Sequence, residues 1–315
     1  MKGFDLHNPV TVHEAVSLLD ARDVRNRRAR VLAGGQDLLT EIKENIVQPE
    51  MLVNLKGIPG LNGISFNERS GLHIGTLATV DALAQNGIVR SRFPALAMAA
   101  ESVGSPQIRH VGTVGGNLCQ RPRCWYYRNE HIICLKKGGD RCYAASGENK
   151  YNAILGGGPS YIVHPSDLAV ALCALDAMVS IAGPRGARTL PIGRFFVLPA
   201  VDVHHENVLK PNEIVTSVSL GHTALADGSV YHKFKEKESM DWALSSAAVA
   251  LAVEHGVVRE ARIVLGGVAP IPWRAEAAER ELVGKPLSER VIQRSAQAAI
   301  HGAAPLEHNA YKVPL

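Results

Sequence analysis

The chain has 315 residues, of which 46% are hydrophobic, and its 34 basic and 30 acidic side chains leave a net charge of +4. That length allows two domains at about 100–200 residues each, and the composition is globular rather than disordered or fibrous. So small a charge is no nucleic-acid footprint, no stretch approaches the roughly 20 apolar residues of a membrane span, and the opening MKGFDLHNPVTVHEA has no leader-like apolar run.

Thr11 and Glu14 have capping-box spacing, and Val12, Ala15, Val16 and Leu19 share a helical face. Residues 30–33 read as a strand running into Gly34-Gly35. Leu38, Leu39 and Ile42 then resume helical spacing before a strand at 51–55, which predicts a small β-α-β unit. A strand is expected at 72–76 and an Ala-rich helix at 93–103. Between Gly104 and Ser160 regular periodicity is lost, which inside a compact domain marks a functional segment. Residues 161–164 read as a short strand ending at Pro165, and Ser166 caps a helix whose Leu168, Ala169, Leu172 and Leu175 share a face. Strands at 178–181 and 188–190 flank the turn Gly183-Pro184-Arg185-Gly186 as a hairpin. From about residue 223 the pattern changes to long antiparallel strands at 247–253 and 261–265 around His255-Gly256. Helices at 275–283 and 288–301 follow, giving a separate α+β unit.

Two glycine pairs carry the first chemical signal. In AGGQDLL (33–39) they stand between a strand and a helix, where bare main-chain amides can face an anion. TVGGNLC (113–119) repeats the pattern with Thr113 and Asn117 alongside. Neither is the G-x-G-x-x-G fingerprint of nicotinamide-binding folds, and each alone also reads as a plain turn. Ser166-Asp167 reads as a helix cap or as a carboxylate for a nucleotide hydroxyl. Of five cysteines, Cys119, Cys124, Cys134 and Cys142 lie within 24 residues, amid Arg121, Arg123, Arg128, Lys136, Lys137 and Arg141. Clustered thiols without a secretion signal point to metal before disulfides. Their spacing matches neither zinc hooks nor ferredoxin patterns, so iron–sulfur, zinc and metal-free readings stay open. Cys173 reads as a small buried hydrophobe, and the scattered histidines form no H-E-x-x-H pattern.

These runs resemble the flavin-binding medium subunits of the molybdenum hydroxylases, the family of carbon monoxide, xanthine and aldehyde dehydrogenases. AGGQDLL is similar to their AGGTDLL-type loop, TVGGNLC to their TVGGN loop, and HPSDLAVALCALDA to their PSDL segment. KFKEKESMDWALSSAAVAL and GGVAPIPWRAEAAERELVG are similar to stretches of their C-terminal domain. The insert most resembles the aldehyde oxidoreductase branch, whose flavin subunit also carries a four-iron four-sulfur cluster.

The resemblance implies an α+β chain: a two-subdomain FAD-binding fold of the vanillyl-alcohol-oxidase (PCMH) type over 1–222, followed by a small α+β domain over 223–315. The subdomains would span about 1–57 and 58–222, with the cysteine-rich insert at 119–142. Ala33, Gly34, Gly35, Gln36, Asp37 and Leu38 would hold the FAD pyrophosphate. Thr113, Gly115, Gly116 and Asn117 would form a second FAD loop, with Asp167 on the adenosine side. Lys235 would lie near the flavin, with Lys233 the alternative through a length difference. Cys119, Cys124, Cys134 and Cys142 would ligate a 4Fe-4S cluster, although some relatives place a cysteine near Ser160 instead of at Cys119. Partners would be a large molybdenum-cofactor subunit, oxidising an aldehyde or N-heterocycle, and a small subunit with 2Fe-2S clusters. No side chain here would be catalytic. The complex would be cytoplasmic, or periplasmic by co-export with a partner. The rival readings are a stand-alone flavin oxidase and a zinc-stapled interaction module.

Overall fold

Apolar spacing sets the first layer. In the computed structural model, which describes residues 2–20 and 28–315, strands β1 (Asp5–His7), β2 (Ala29–Leu32) and β3 (Met51–Asn54) form a parallel sheet in the order β1-β3-β2. The helix Val12–Asp20 packs Ala15, Val16 and Leu19 against Met51 and Val53. Its first turn carries the expected box: Thr11 Oγ1 accepts from the Glu14 N–H at 3.0 Å, and Glu14 Oε2 accepts from the Val10 N–H at 2.8 Å. The helix Leu38–Lys43 joins β2 to β3 as the predicted β-α-β unit.

The second layer is antiparallel. Strands β4 (Ile64–Asn67), β5 (Gly71–Gly75), β6 (Met178–Gly183), β7 (Gly186–Pro191) and β8 (Ile214–Leu220) pair in the order β4-β5-β8-β6-β7. The hairpin closes with Gly183 opposite Gly186. The helix Pro94–Glu101 occupies the place of the predicted Ala-rich helix. Within the aperiodic stretch only short pieces form, among them the helices Pro106–Val111 and Val114–Leu118.

The third sheet has the order β12-β11-β10-β9, from β9 (Ser229–Phe234), β10 (Ser245–Glu254), β11 (Val257–Gly266) and β12 (Trp273–Arg274). His255 and Gly256, at φ 51° and 77°, make the two-residue turn between β10 and β11. The helices Glu276–Leu282 and Glu289–Ala299 follow, and Ala278 and Leu282 pack with Val258 and Ile263 of β11.

The helix Asp167–Ala174 joins these layers. It packs on the helix Pro94–Glu101 and on β10 and β11. Leu168, Ala169, Val170, Ala171, Leu172 and Ala174 are all buried, so the expected single apolar face is corrected to a helix enclosed nearly all round. The expected strand at 161–164 is also absent. The Tyr161 carbonyl accepts from the Ala153 N–H and the His164 N–H donates to the Ala269 carbonyl, so the segment's bonds go to two different neighbours and no ladder forms. Among the described residues no helix is long and apolar enough to cross a membrane.

Candidate functional site

The first glycine loop lies between β2 and the helix Leu38–Lys43. A Cβ on Gly34 would overlap the Val111 carbonyl oxygen, and Gly35 holds φ +77°, so this turn needs both glycines. Among the described residues nothing accepts a hydrogen bond from the main-chain N–H groups of Gly34, Gly35, Gln36 or Asp37. Four consecutive open amides around a left-handed residue make an anion-binding concavity. The Gln36 side chain is exposed beside it. The Asp37 carboxylate turns the other way: it accepts from the Arg121 N–H at 2.7 Å and pairs with Arg123 and, at 2.6 Å, with Arg128. Burial alone would raise its pKa, but Arg123 and Arg128 outweigh it and hold the group below the usual carboxylate range. Asp37 therefore anchors the insert to the loop.

The second loop spends its amides internally. Val114 and Gly115 donate to the carbonyls of Ala78 and Thr76, each at 2.9 Å, and Asn117 donates to the Thr113 carbonyl at 2.8 Å. Thr113 Oγ1 caps the turn, accepting from the Gly116 N–H at 3.2 Å. A Cβ on Gly115 would overlap the Thr76 hydroxyl, so a valine there tests packing before it tests any ligand. Asn117 Oδ1 accepts from Ser166 Oγ, which also caps the helix Asp167–Ala174 by accepting from the Ala169 N–H at 2.9 Å. Asp167 is buried and takes hydrogen bonds from Tyr231 Oη at 2.6 Å and Lys233 Nζ at 2.9 Å. Its burial raises its pKa despite Lys233. Of the two lysines offered by the sequence, Lys233 is the one paired with Asp167. Lys235 Nζ instead donates to the carbonyls of Glu238 and Ser239, at 2.6 and 3.0 Å, and folds its own loop.

Beside this pair opens a cavity of 440 Å³, lined by Cys124, Asn152, His164, Ser166, Asp167 and Trp242, among others. His164 is 4% exposed. Its Nδ1 accepts from the Ser166 N–H at 3.4 Å, which assigns the proton of the neutral ring to Nε2. The ring also bonds to the main chain of Leu118. Burial pushes the His164 pKa down to about 3, so the ring stays neutral through the physiological range.

The cysteines do not form the expected set of four. All five are unpaired thiols. Cys124 and Cys142 are close enough to interact electrostatically, and Lys137 senses both Cys134 and Cys124. Cys119 instead packs against the main hydrophobic cluster, and burial alone pushes its thiol up to about 12. Among the described residues no three His, Cys, Asp or Glu side chains converge as ligands of one metal ion. The four-iron set of Cys119, Cys124, Cys134 and Cys142 is therefore not supported: its first member points into apolar surroundings that disfavour a thiolate.

Residues 2–222 match the family model "FAD binding domain in molybdopterin dehydrogenase", and residues 229–313 match "CO dehydrogenase flavoprotein C-terminal domain". The chain belongs to this flavoprotein family. It is 35% identical over 285 residues to the aldehyde oxidoreductase FAD-binding subunit PaoB of Escherichia coli (strain K12), covering 90% of this chain and 86% of that one. It is 31% identical to the carbon monoxide dehydrogenase medium chain of Hydrogenophaga pseudoflava, covering 96% of this chain and 88% of the relative. The solved carbon monoxide dehydrogenase of H. pseudoflava that lacks the Mo-pyranopterin moiety includes a chain that matches with a TM-score of 0.76 and 30% identity, over 99% of this chain and 93% of that one. As a member of the family it is an oxidoreductase subunit with an FAD-binding domain followed by a C-terminal domain.

Sequence reasoning passed over His164, Tyr231 and Trp242. The histidine next to Ser166-Asp167 was the available signal, but no spacing rule distinguishes a histidine that lines a cavity from one in a core. The pH consequence has a definite sign. Between pH 6.5 and 3 the unfolded state binds a proton at His164 that the folded state does not, so stability rises with pH across that window. Urea unfolding should therefore show the wild type losing stability as pH falls below 6.5, with a shallower slope in His164→Gln. Identical slopes would show that the ring is not held neutral.

Proposed function

We propose that this chain is the FAD-bearing electron-transfer subunit of a molybdenum-containing oxidoreductase acting on an aldehyde or N-heterocycle. A large partner would carry the molybdenum cofactor and a small partner the 2Fe-2S clusters. The observation that carries the reading is the row of four open amides at Gly34, Gly35, Gln36 and Asp37, within the stretch that matches the FAD-binding family model. Those amides and Gln36 would hold the pyrophosphate, and the 440 Å³ cavity beside Ser166 and Asp167 would hold the flavin ring. When bound, FAD would take up electrons one at a time and pass them on singly or as a pair, which would couple one-electron clusters to a final acceptor.

The protein's own residues place and insulate the group. Thr113, Gly115, Gly116 and Asn117 fix the second loop against Ser166, and thereby the start of the helix that presents Asp167. Lys233 neutralises Asp167, and burial keeps His164 neutral, so neither sets an unpaired charge in the cavity wall. No constellation of nucleophile and base is needed, because substrate oxidation would occur on the large partner. The relatives' names support subunit status: one is an FAD-binding subunit, another a medium chain. The first relative's aldehyde activity supports the aldehyde class for this chain. We assign residues 1–222 and 223–315 as the two functional units. The five unpaired cysteines support a reducing, cytoplasmic setting.

Among the described residues no set of cysteines converges on one metal ion, so no electron step is assigned to iron on this chain. Cys119→Ser should leave the iron and acid-labile sulfide of the purified chain unchanged, and a loss of either would restore Cys119 as a ligand. Gln36→Glu sets a carboxylate beside the proposed pyrophosphate at an exposed position. It should weaken FAD roughly tenfold, equivalent to about 1.4 kcal/mol, while leaving riboflavin binding alone. Undiminished FAD affinity would remove the pyrophosphate from this loop. In the reconstituted complex, an aldehyde should bleach the flavin absorbance under anaerobic conditions, whereas the isolated flavin-loaded chain should not respond. Bleaching of the isolated chain would favour the stand-alone oxidase.

A further inference from the structure

The segment 149–154, whose residues 150–152 line the cavity, has neither helix nor strand to satisfy its main chain. Buried carbonyls in such a segment need donors from elsewhere. They find them in residues 304–312. The Ala304 N–H donates to the Ile154 carbonyl at 2.7 Å, and the His308 N–H donates to Asn149 Oδ1 at 2.9 Å. Asn309, 0% exposed, donates through Nδ2 to the Asn152 carbonyl at 3.1 Å, and Tyr311 Oη donates to the Lys150 carbonyl at 2.9 Å.

Lys312 completes the set. It is 2% exposed, and its Nζ donates to the carbonyls of Tyr151 and Asn152, each at 3.1 Å, and of Gly267 at 2.7 Å. Tyr151, Asn152 and Gly267 all line the 440 Å³ cavity. They come from separate segments, one beside the cysteine-rich insert and one just after β11, and the ammonium ties them at one point. No carboxylate pairs with Lys312 among the described residues. Burial draws its pKa down to about 7, which shows what desolvation costs this group. An uncompensated buried cation is a poor way to gain stability but an exact fastener for three carbonyls.

We infer that residues 304–312 form a strap that positions the rear wall of the ring cavity, with Lys312 as its central positioning residue. The inference rests on the reading of that cavity as the flavin site. The wall's side chains carry the consequence. Asn152 Nδ2 donates to the Tyr161 carbonyl at 2.9 Å and lies 3.8 Å from Cys124 Sγ. The Tyr151 ring meets Trp125 edge-on at 5.5 Å, and its hydroxyl donates to Glu236 at 2.8 Å. Releasing the strap would displace these groups in the cavity while leaving the open amides at 34–37 untouched.

Lys312→Met keeps the apolar stem and removes all three donors. In the full chain loaded with FAD, the folded variant should show a displaced visible flavin band and a changed midpoint potential, or should lose the flavin. A folded variant with the wild-type band, potential and occupancy would overturn the strap's role. If the variant does not fold, hydrogen exchange on the wild type decides: adding FAD should slow residues 149–154 and 304–312 together, and an unaffected 304–312 would overturn the inference. A wild-type chain that binds no FAD at all would instead refute the site reading itself.

Discussion

The arrangement depends on two close main-chain approaches. At Gly34 the first loop rests on the Val111 carbonyl, and at Gly115 the second loop rests on Thr76. Neither contact admits a Cβ, and together they bring the parallel sheet's unit against the helices that cover the antiparallel sheet. The bridge between Thr79 and Thr113 holds the second loop at the same junction. Because packed interiors resist even small displacements, these contacts fix where the open amides of residues 34–37 face. The two similar glycine runs thus divide the work. One exposes its amides, and the other closes its own so that it can support the first.

Charge fastens the insert in the described structure. Asp37 gathers Arg123, Arg128 and the Arg121 amide. Glu206 gathers Lys136 at 2.6 Å and Arg121 at 3.1 Å, with both Glu206 and Lys136 nearly removed from solvent. Buried pairs of this kind contribute little net stability, because desolvation offsets attraction, but losing one partner leaves the other stranded at a cost of about 3–5 kcal/mol. They therefore specify position strongly while adding little to stability. Within the fold Arg121, Arg123, Arg128 and Lys136 are thus taken up by Asp37, Glu41 and Glu206.

Much of the fold was legible because it rests on local rules. The Thr11 and Glu14 box, the turn at His255-Gly256, the hairpin at 183–186 and the β-α-β unit each follow from spacing over a few residues. The helix at Asp167 was located by its Ser166 cap, but its complete enclosure was not, since burial on a second face depends on β10 and β11, which lie some 80 residues later. Residues 161–164 looked like a strand because apolar extended sequence is common to strands and to single-bonded connectors. In the candidate site, both glycine loops and Asp167 were singled out by residue type. The place of His164 in the cavity wall and the bonds of Tyr231 and Lys233 to Asp167 were not, because each depends on a partner distant in sequence. The packing of Cys119 against the main hydrophobic cluster was not legible either, because it depends on residues distant in sequence.

The cavity's electrostatics accord with a group that changes charge as electrons arrive. In a low-dielectric wall a fixed unpaired charge would bias such a group strongly toward one state. Here Asp167 is offset by Lys233 and His164 is kept neutral by burial, so the wall near the helix start is close to balanced. Behind the wall that includes Tyr151, Asn152 and Gly267, Lys312 faces only carbonyl dipoles. A cation screened by three peptide oxygens acts on the cavity mainly through the orientation of those peptides.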